Sequence, residues 1–395
     1  MLFLFLPFFA PEILSLASHA SRYGQDLYVY KTKGMNNRIQ ALAADALGLL
    51  QKLIATQSFS KEELPTALII EAFMQERGVE TNRLLHNIWA KNRHYDESKP
   101  TILLNSHHDT VRPNKGYTRD PLLPEIIDGK LFGLGSNDAG GALTGLLATF
   151  LYFYDETDLP FNLIYCASAE EEIPGEEGVE MVIPILGRVD FGIVGEPTQM
   201  QMAIAEKGLI VIDAVARGKA GHAAREEGES ALYKAMDDIN WIRNKQFPLV
   251  SEFLGPVKMS VTAIHSGSEH NVVPDRCDFL IDVRVNEMYT LEEILEEMKQ
   301  NLQSELIPQG MVMRSSIIPV EHPLVQAGLA LGRTYYGSPT TSDKAQMKFP
   351  ALKMGPGDSA RSHSANEFIY VSEIEEGVAI YVALLEKLKE TIVGL

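Results

Sequence analysis

The chain has 395 residues, 45% of them hydrophobic and 22% charged: enough for two domains and a sizeable buried core, and too apolar for a disordered protein. A formal net charge of −18 argues against nucleic acid or an anionic membrane as partner and suits a protein that holds cations. Two cysteines, Cys166 and Cys277, cannot build a disulfide framework, which points to a reducing, cytoplasmic setting.

Residues 2–10 are apolar, but the run is short, is broken by Pro7 and has no basic stretch before it. A membrane span needs about 20 apolar residues, and secretory signals normally begin with basic residues. Residues 17–20 imitate a cleavage site, so export stays as the alternative to a simpler reading. In that reading residues 1–34 are an extension upstream of the fold, because Met35-Asn36-Asn37-Arg38 directly precedes the first patterned helix.

Ile39, Leu42, Ala46, Leu49 and Leu53 recur at helical spacing. Ser60 and Glu63 then have the spacing of a capping box for a second helix ending near Gly78. Strand patterns follow at 84–90 and 101–106, a glycine- and leucine-rich helix runs from Asp138 to about Tyr154, and further strands lie at 161–167 and 191–195. Strands alternating with helices predict an α/β fold on a mostly parallel sheet. The pattern changes at 207: strand 209–216, helix 230–243, strands 257–264 and 276–285, helix 291–302 and strand 311–318. That β-α-β-β-α-β order is a ferredoxin-like α+β unit, here a domain at 207–318 inserted into one made of 35–206 and 319–395. The second part of the host domain resumes with helix 322–335, strand 351–355 and helix 373–392.

Three apolar runs end in histidine or carboxylate where a strand would stop: 101–104 before His107-His108-Asp109, 161–167 before Glu170-Glu171-Glu172, and 191–194 before Glu196. The carboxyl ends of parallel strands converge on one crevice, where ligands bind. Taken singly, each residue has an ordinary explanation. His107 and Asp109 share a strand face, where the aspartate can orient the histidine or merely end a turn. Asp138 after Gly133-Leu134-Gly135-Ser136-Asn137 is equally a helix N-cap. The glutamate triplet is equally a solvated run, Glu196 a turn residue, and His363 a loop histidine after Gly355-Pro356-Gly357. Together they supply two histidines and three carboxylates for two divalent cations sharing Asp138, a set that suits zinc, with cobalt or manganese as substitutes.

In these residues the chain resembles the acetylornithine deacetylase / succinyl-diaminopimelate desuccinylase / aminoacylase family of dinuclear zinc hydrolases. The elements that carry the likeness are His107-His108-Asp109-Thr110-Val111, Gly133 to Asp138, Glu170-Glu171-Glu172 and Gly195-Glu196-Pro197-Thr198, in the family's order. The resemblance implies one ion on His107, Asp138 and Glu196, and a second on Asp138, Glu172 and His363. It implies Asp109 as the partner of His107 and Glu171 as general base. The inserted domain becomes a lid and dimerisation domain, in which His222 of Gly221-His222 reaches the active site of a homodimer partner. Asn271, Arg284 and Gly357 become substrate contacts. The implied substrate is an N-acyl amino acid, first N-acetylornithine or N-acetylcitrulline in arginine biosynthesis. The alternatives are an N-succinyl amino acid or a dipeptide, and, from another class, a silent scaffold on the same fold. Glu170 in place of the more usual aspartate, and Ala139-Gly140 after Asp138, depart from the family pattern without removing a ligand.

Overall fold

The computed structural model describes residues 36–173 and 175–392. The apolar run at 2–10 and the expected extension at 1–34 lie outside the described residues. The chain begins with α1 (Asn37–Ile54), α2 (Leu64–Gln75), β1 (Asn82–Leu84), β2 (Asn87–Lys91) and β3 (Thr101–His107). Then come β4 (Glu125–Ile127), β5 (Lys130–Phe132), α3 (Gly141–Phe153), β6 (Asn162–Ser168), α4 (Val179–Leu186), β7 (Phe191–Val194) and β8 (Met202–Glu206). A second group follows: β9 (Gly208–Arg217), β10 (Gly221–His222), α5 (Ala231–Asn244), β11 (Lys258–Ser266), β12 (Val272–Val273), β13 (Arg276–Val285), α6 (Leu291–Asn301) and β14 (Glu305–Met313). The chain closes with β15 (Ser316–Ile317), α7 (Pro323–Ala330), β16 (Tyr335–Ser338), β17 (Ala351–Lys353), β18 (Phe368–Tyr370) and α8 (Val371–Ile392).

The main sheet has the order β1-β2-β6-β3-β7-β17-β8-β15, with β16 alongside β8. Its centre, β6-β3-β7-β17, is parallel, so the carboxyl ends of these strands share one edge. All seven residues of β3 and all seven of β6 are buried, as expected of strands covered on both faces. α1 turns Ala43, Ala46, Leu49, Leu50, Leu53 and Ile54 inward at intervals of three and four, capped by Asn36 accepting from the Arg38 amide. α3 is buried almost all round, which explains its run of Gly, Ala, Leu and Thr.

The second group forms its own sheet, β11-β13-β9-β14, antiparallel at each pairing, and its own core around Ile212, Phe279, Ile281, Ile294 and Met298. Its two helices are capped, α5 by Ser230 and α6 by a Thr290–Glu293 capping box.

Five expectations need correction. Residues 84–90 are not one strand: Leu85 turns at φ +51° between β1 and β2. Ser60 does not cap α2, whose N-cap residue is Glu63 without a side-chain cap bond. Asp138 does not begin a helix: it has φ −119° and ψ 99° in a π-type turn (Ser136–Gly140), and α3 starts after it. The last strand of the second sheet is β14, at 305–313 rather than 311–318. It carries Pro308, which disguises it in sequence but is tolerated on an edge strand. Ser316 and Ile317 instead pair with β8 in the main sheet. Finally, α7 stops at Ala330 before Gly332 (φ +72°), and Tyr335 begins a strand.

Candidate metal centre

His107 is the last residue of β3, beside Ser168 at the end of β6. Its Nδ1 lies 3.0 Å from the Asp109 carbonyl oxygen, which can only accept, so Nδ1 donates and Nε2 faces the crevice. There Nε2 lies 3.4 Å from Asp138 Oδ1 and 3.7 Å from Glu196 Oε1. His108 points elsewhere: its Nε2 donates to the His86 carbonyl, and its Nδ1 is 2.9 Å from the Thr66 hydroxyl.

The second half of the cluster mirrors the first. His363 Nε2 is 2.9 Å from Glu172 Oε2 and 3.7 Å from Asp138 Oδ2. Asp138 thus turns one oxygen toward each histidine. The donor atoms of His107, Asp138 and Glu172 lie within 4.8 Å of one another, and so do those of His107, Glu171 and Glu196. Glu171 therefore stands among the donors on the Glu196 side.

The loops that carry these groups are held by carboxylates of their own. Asp109 accepts from the amides of Glu171 and Glu172 (3.1 Å each) and from the Ser60 hydroxyl (2.7 Å). Glu63, fully buried, accepts from the Glu170 amide at 3.3 Å and pairs with His86 Nδ1 at 2.7 Å. The Ser60–Glu63 spacing, read as a helix cap, thus serves the glutamate triplet. Glu367, also buried, accepts from the amides of Gly135 (3.1 Å), Asn137 (2.8 Å) and Asp138 (2.9 Å). Gly135 makes this turn with φ +73°, and a Cβ there would come within 2.5 Å of Thr110 Cγ2. Behind Glu171, Asp343 accepts from Asn105 (2.7 Å) and Ser168 (2.5 Å), and Lys353 pairs with Glu206 at 3.2 Å, all five of these groups being buried.

Crowded acids in a buried site resist ionising together. Burial, then Asp138, pushes Glu196 up to about 8, and burial with the nearby Glu196 and Glu172 holds Glu171 well above its ordinary value. Burial opposes protonation of His107, yet its bonds to Asp109 and Asp138 keep it well above the usual histidine range. The bond to Glu172 raises His363 to about 9. Burial and Asp138 raise Glu367 to about 8 against its three amide donors. Each shift retains protons on a cluster rich in negative charge, and divalent cations bound there would take the place of those protons. Imidazole nitrogens and carboxylate oxygens are the donors that zinc, cobalt and manganese accept, so the residues present fit such ions.

The remaining expected contacts are arranged differently. Gly357 (φ +90°) is buried against Asn137 and Pro197 at the rim of the cluster. His222 is exposed on the β10–β12 ribbon, and the amide of its neighbour Ala223 donates to the Asn271 carbonyl, so His222 and Asn271 lie together. Arg284, on β13, is engaged by Asp282 through two bonds of 2.9 and 3.0 Å. His222, Asn271 and Arg284 lie outside the cluster of His107, Asp138, Glu172, Glu196 and His363. Sequence reasoning missed Glu63 in its actual role, Glu367, Asp343 and Lys353. Each lies far along the chain from the group it serves, and no spacing rule links them.

Comparison with known proteins places these observations in a family. The model of peptidase family M20/M25/M40 matches residues 103–387. A succinyl-diaminopimelate desuccinylase 2 of Ruegeria sp. (strain TM1040) is 26% identical over 64% of this chain and 68% of its own. Among solved structures, a tripeptidase of Staphylococcus aureus superposes with a TM-score of 0.70 at 18% identity, covering 92% of this chain and all of its own. A dinuclear metal-binding peptidase of family M20 from Bacillus subtilis gives 0.67 at 16% identity over 90% of this chain and 100% of its own.

Proposed function

Because the chain belongs to peptidase family M20/M25/M40 and is a metal-dependent hydrolase of that family, we propose that it cleaves the amide bond of an N-acyl amino acid at two divalent cations. The observation that carries this reading is Asp138, with its two oxygens turned toward His107 and His363, and Glu171 half-buried beside them. When bound, the cations lower the pKa of the attacking water and polarise the acyl carbonyl. His107, Glu196, Glu172, His363 and the shared Asp138 hold them. Glu171 takes the proton of the attacking water and passes it to the departing amine, a role typically worth about 10²–10⁴ in rate. Its elevated proton affinity fits a group that must both accept and return a proton. His222, carried on the second sheet's ribbon, donates to the developing oxyanion after closure or from the partner of a homodimer. Arg284, exchanging Asp282 for the substrate carboxylate, orients the amino acid.

The acyl group is read from the relatives. Several named succinyl-diaminopimelate desuccinylase align over 85–87% of this chain at 23–25% identity. The N-succinyl substrate therefore replaces the acetyl one as the first reading. Among the described residues no helix is long and apolar enough to cross a membrane.

The test is a metal-loaded assay with N-succinyl-diaminopimelate, N-acetylornithine, N-acetylcitrulline and dipeptides in parallel. Preferential release of succinate supports the reading. Faster deacetylation reinstates the acetyl substrates, and no turnover of any amide with two ions bound would leave only a scaffold.

A further inference from the structure

The loops that bear Asp138 and His363 are laced together at both ends. Near Asp358, the Asn137 side chain donates to the Asp358 carbonyl at 3.0 Å and accepts from its amide at 2.9 Å. At the other end stands Glu367, four residues after His363 and at the entry to β18, where Ile369 packs in the core beside α1 and α3. Its carboxylate gathers the amides of Gly135, Asn137 and Asp138, and its own carbonyl accepts from Gly133 at 3.0 Å. One buried side chain therefore satisfies three donors in the turn that presents the shared ligand. Two of the three bonds meet at Oε1, and the third goes to Oε2. A glutamine in its place offers only one such oxygen. Burying a further acid beside five ligands is electrostatically costly, and the geometry gives it a use: it ties Asp138 to the segment that carries His363.

We infer that Glu367 is a positioning residue for the second cation, fixing Asp138 Oδ2 opposite His363 through the amides of the 135–138 turn. The inference rests on the metal-hydrolase reading above. Outer partners of this kind typically change metal affinity or activity by about 10–100-fold when removed. The experiment uses the full chain stripped of metal and titrated with Co²⁺ alone, followed by calorimetry and by visible absorption of the bound cobalt. Wild-type protein that takes up fewer than two ions would sink the metal reading before any variant is made. With two ions in the wild type, Glu367→Gln should keep one site and bind the other ion 10–100-fold less well, with an altered cobalt spectrum. On the preferred substrate kcat should fall at least tenfold with KM within threefold. Wild-type stoichiometry, affinities and spectrum in Glu367→Gln, even with lowered thermal stability, would reduce Glu367 to an ordinary structural residue. Should Glu367→Gln not fold, Glu367→Asp keeps the charge and shortens the reach by one methylene. The same weakening is expected there, and an unaltered second affinity overturns the inference.

Discussion

Replacing Asp109 by asparagine changes no volume and isolates what its second oxygen does. Oδ1 receives the Glu171 amide and faces His107 Nδ1 at 3.4 Å, while Oδ2 receives the Glu172 amide and the Ser60 hydroxyl. If the asparagine oxygen takes the Oδ1 place, its NH₂ opposes the Glu172 N–H; Ser60 can rotate to accept, the amide cannot. If the oxygen takes the other place, the NH₂ opposes both the Glu171 amide and His107 Nδ1–H. The first arrangement is cheaper and still strands one buried donor. A bond to a charged acceptor contributes about 1.5–3 kcal/mol, and weakening the surviving bonds from charged to neutral adds more, so the loss should be about 3 kcal/mol. The two tryptophans allow this to be read locally, since Trp89 lies on β2 of the main sheet and Trp241 on α5 beside the second. In a Trp241→Phe background, urea unfolding of the metal-free protein should report that loss through Trp89. Ser60→Ala should cost about 1 kcal/mol alone and less in the Asp109→Asn background, because the two residues share the bond. Turnover should fall at least tenfold, since the glutamate triplet is no longer fixed. A loss under about 1 kcal/mol with unaltered metal affinity would refute the clamp.

Glu171→Gln should retain two ions by elemental analysis and lose about 10²–10⁴ in kcat; appreciable residual turnover would remove it as the base. Lys353→Met should destabilise the metal-free protein by about 3–5 kcal/mol in chemical denaturation, because it leaves Glu206 buried without its cation, and a neutral outcome would contradict the pairing. Metal uptake near pH 7 should release protons, because Glu196 near 8 and His363 near 9 hold theirs until a cation arrives. Apparent affinity should therefore climb from pH 6 to about pH 9, and calorimetry in buffers of different ionisation enthalpy should detect the released protons. In the opposite direction, Asp109 is held below its ordinary value: burial would raise it, but its contacts with His107 and Ser60 outweigh that. Its contribution to stability is complete above the unfolded aspartate value and is lost only as pH falls through the lower folded one.

The cluster was legible because a parallel sheet imposes order on sequence. An apolar run followed by histidine or acid marks a strand end, and in this chain β3, β6 and β7 bring three such ends to one edge. The supporting carboxylates were not legible, since the amides they receive belong to backbone, which leaves no mark in residue type. Glu63 shows the difficulty: its distance from Ser60 matches a helix cap, and only tertiary structure turns it toward the Glu170 amide. β14 escaped for a different reason, because Pro308 forbids a central strand and the sequence does not announce which strand lies at an edge.

His363 and Glu367 come long after His107 in the chain, just ahead of the helix that covers α1 and α3. A nascent chain that has not yet emerged past β18 can therefore present the His107 half of the centre but not the half that His363 completes. Ions that bind only the finished arrangement add their binding free energy to the final folding step. A chain in which the segment carrying His363 is missing or displaced forgoes that stabilisation.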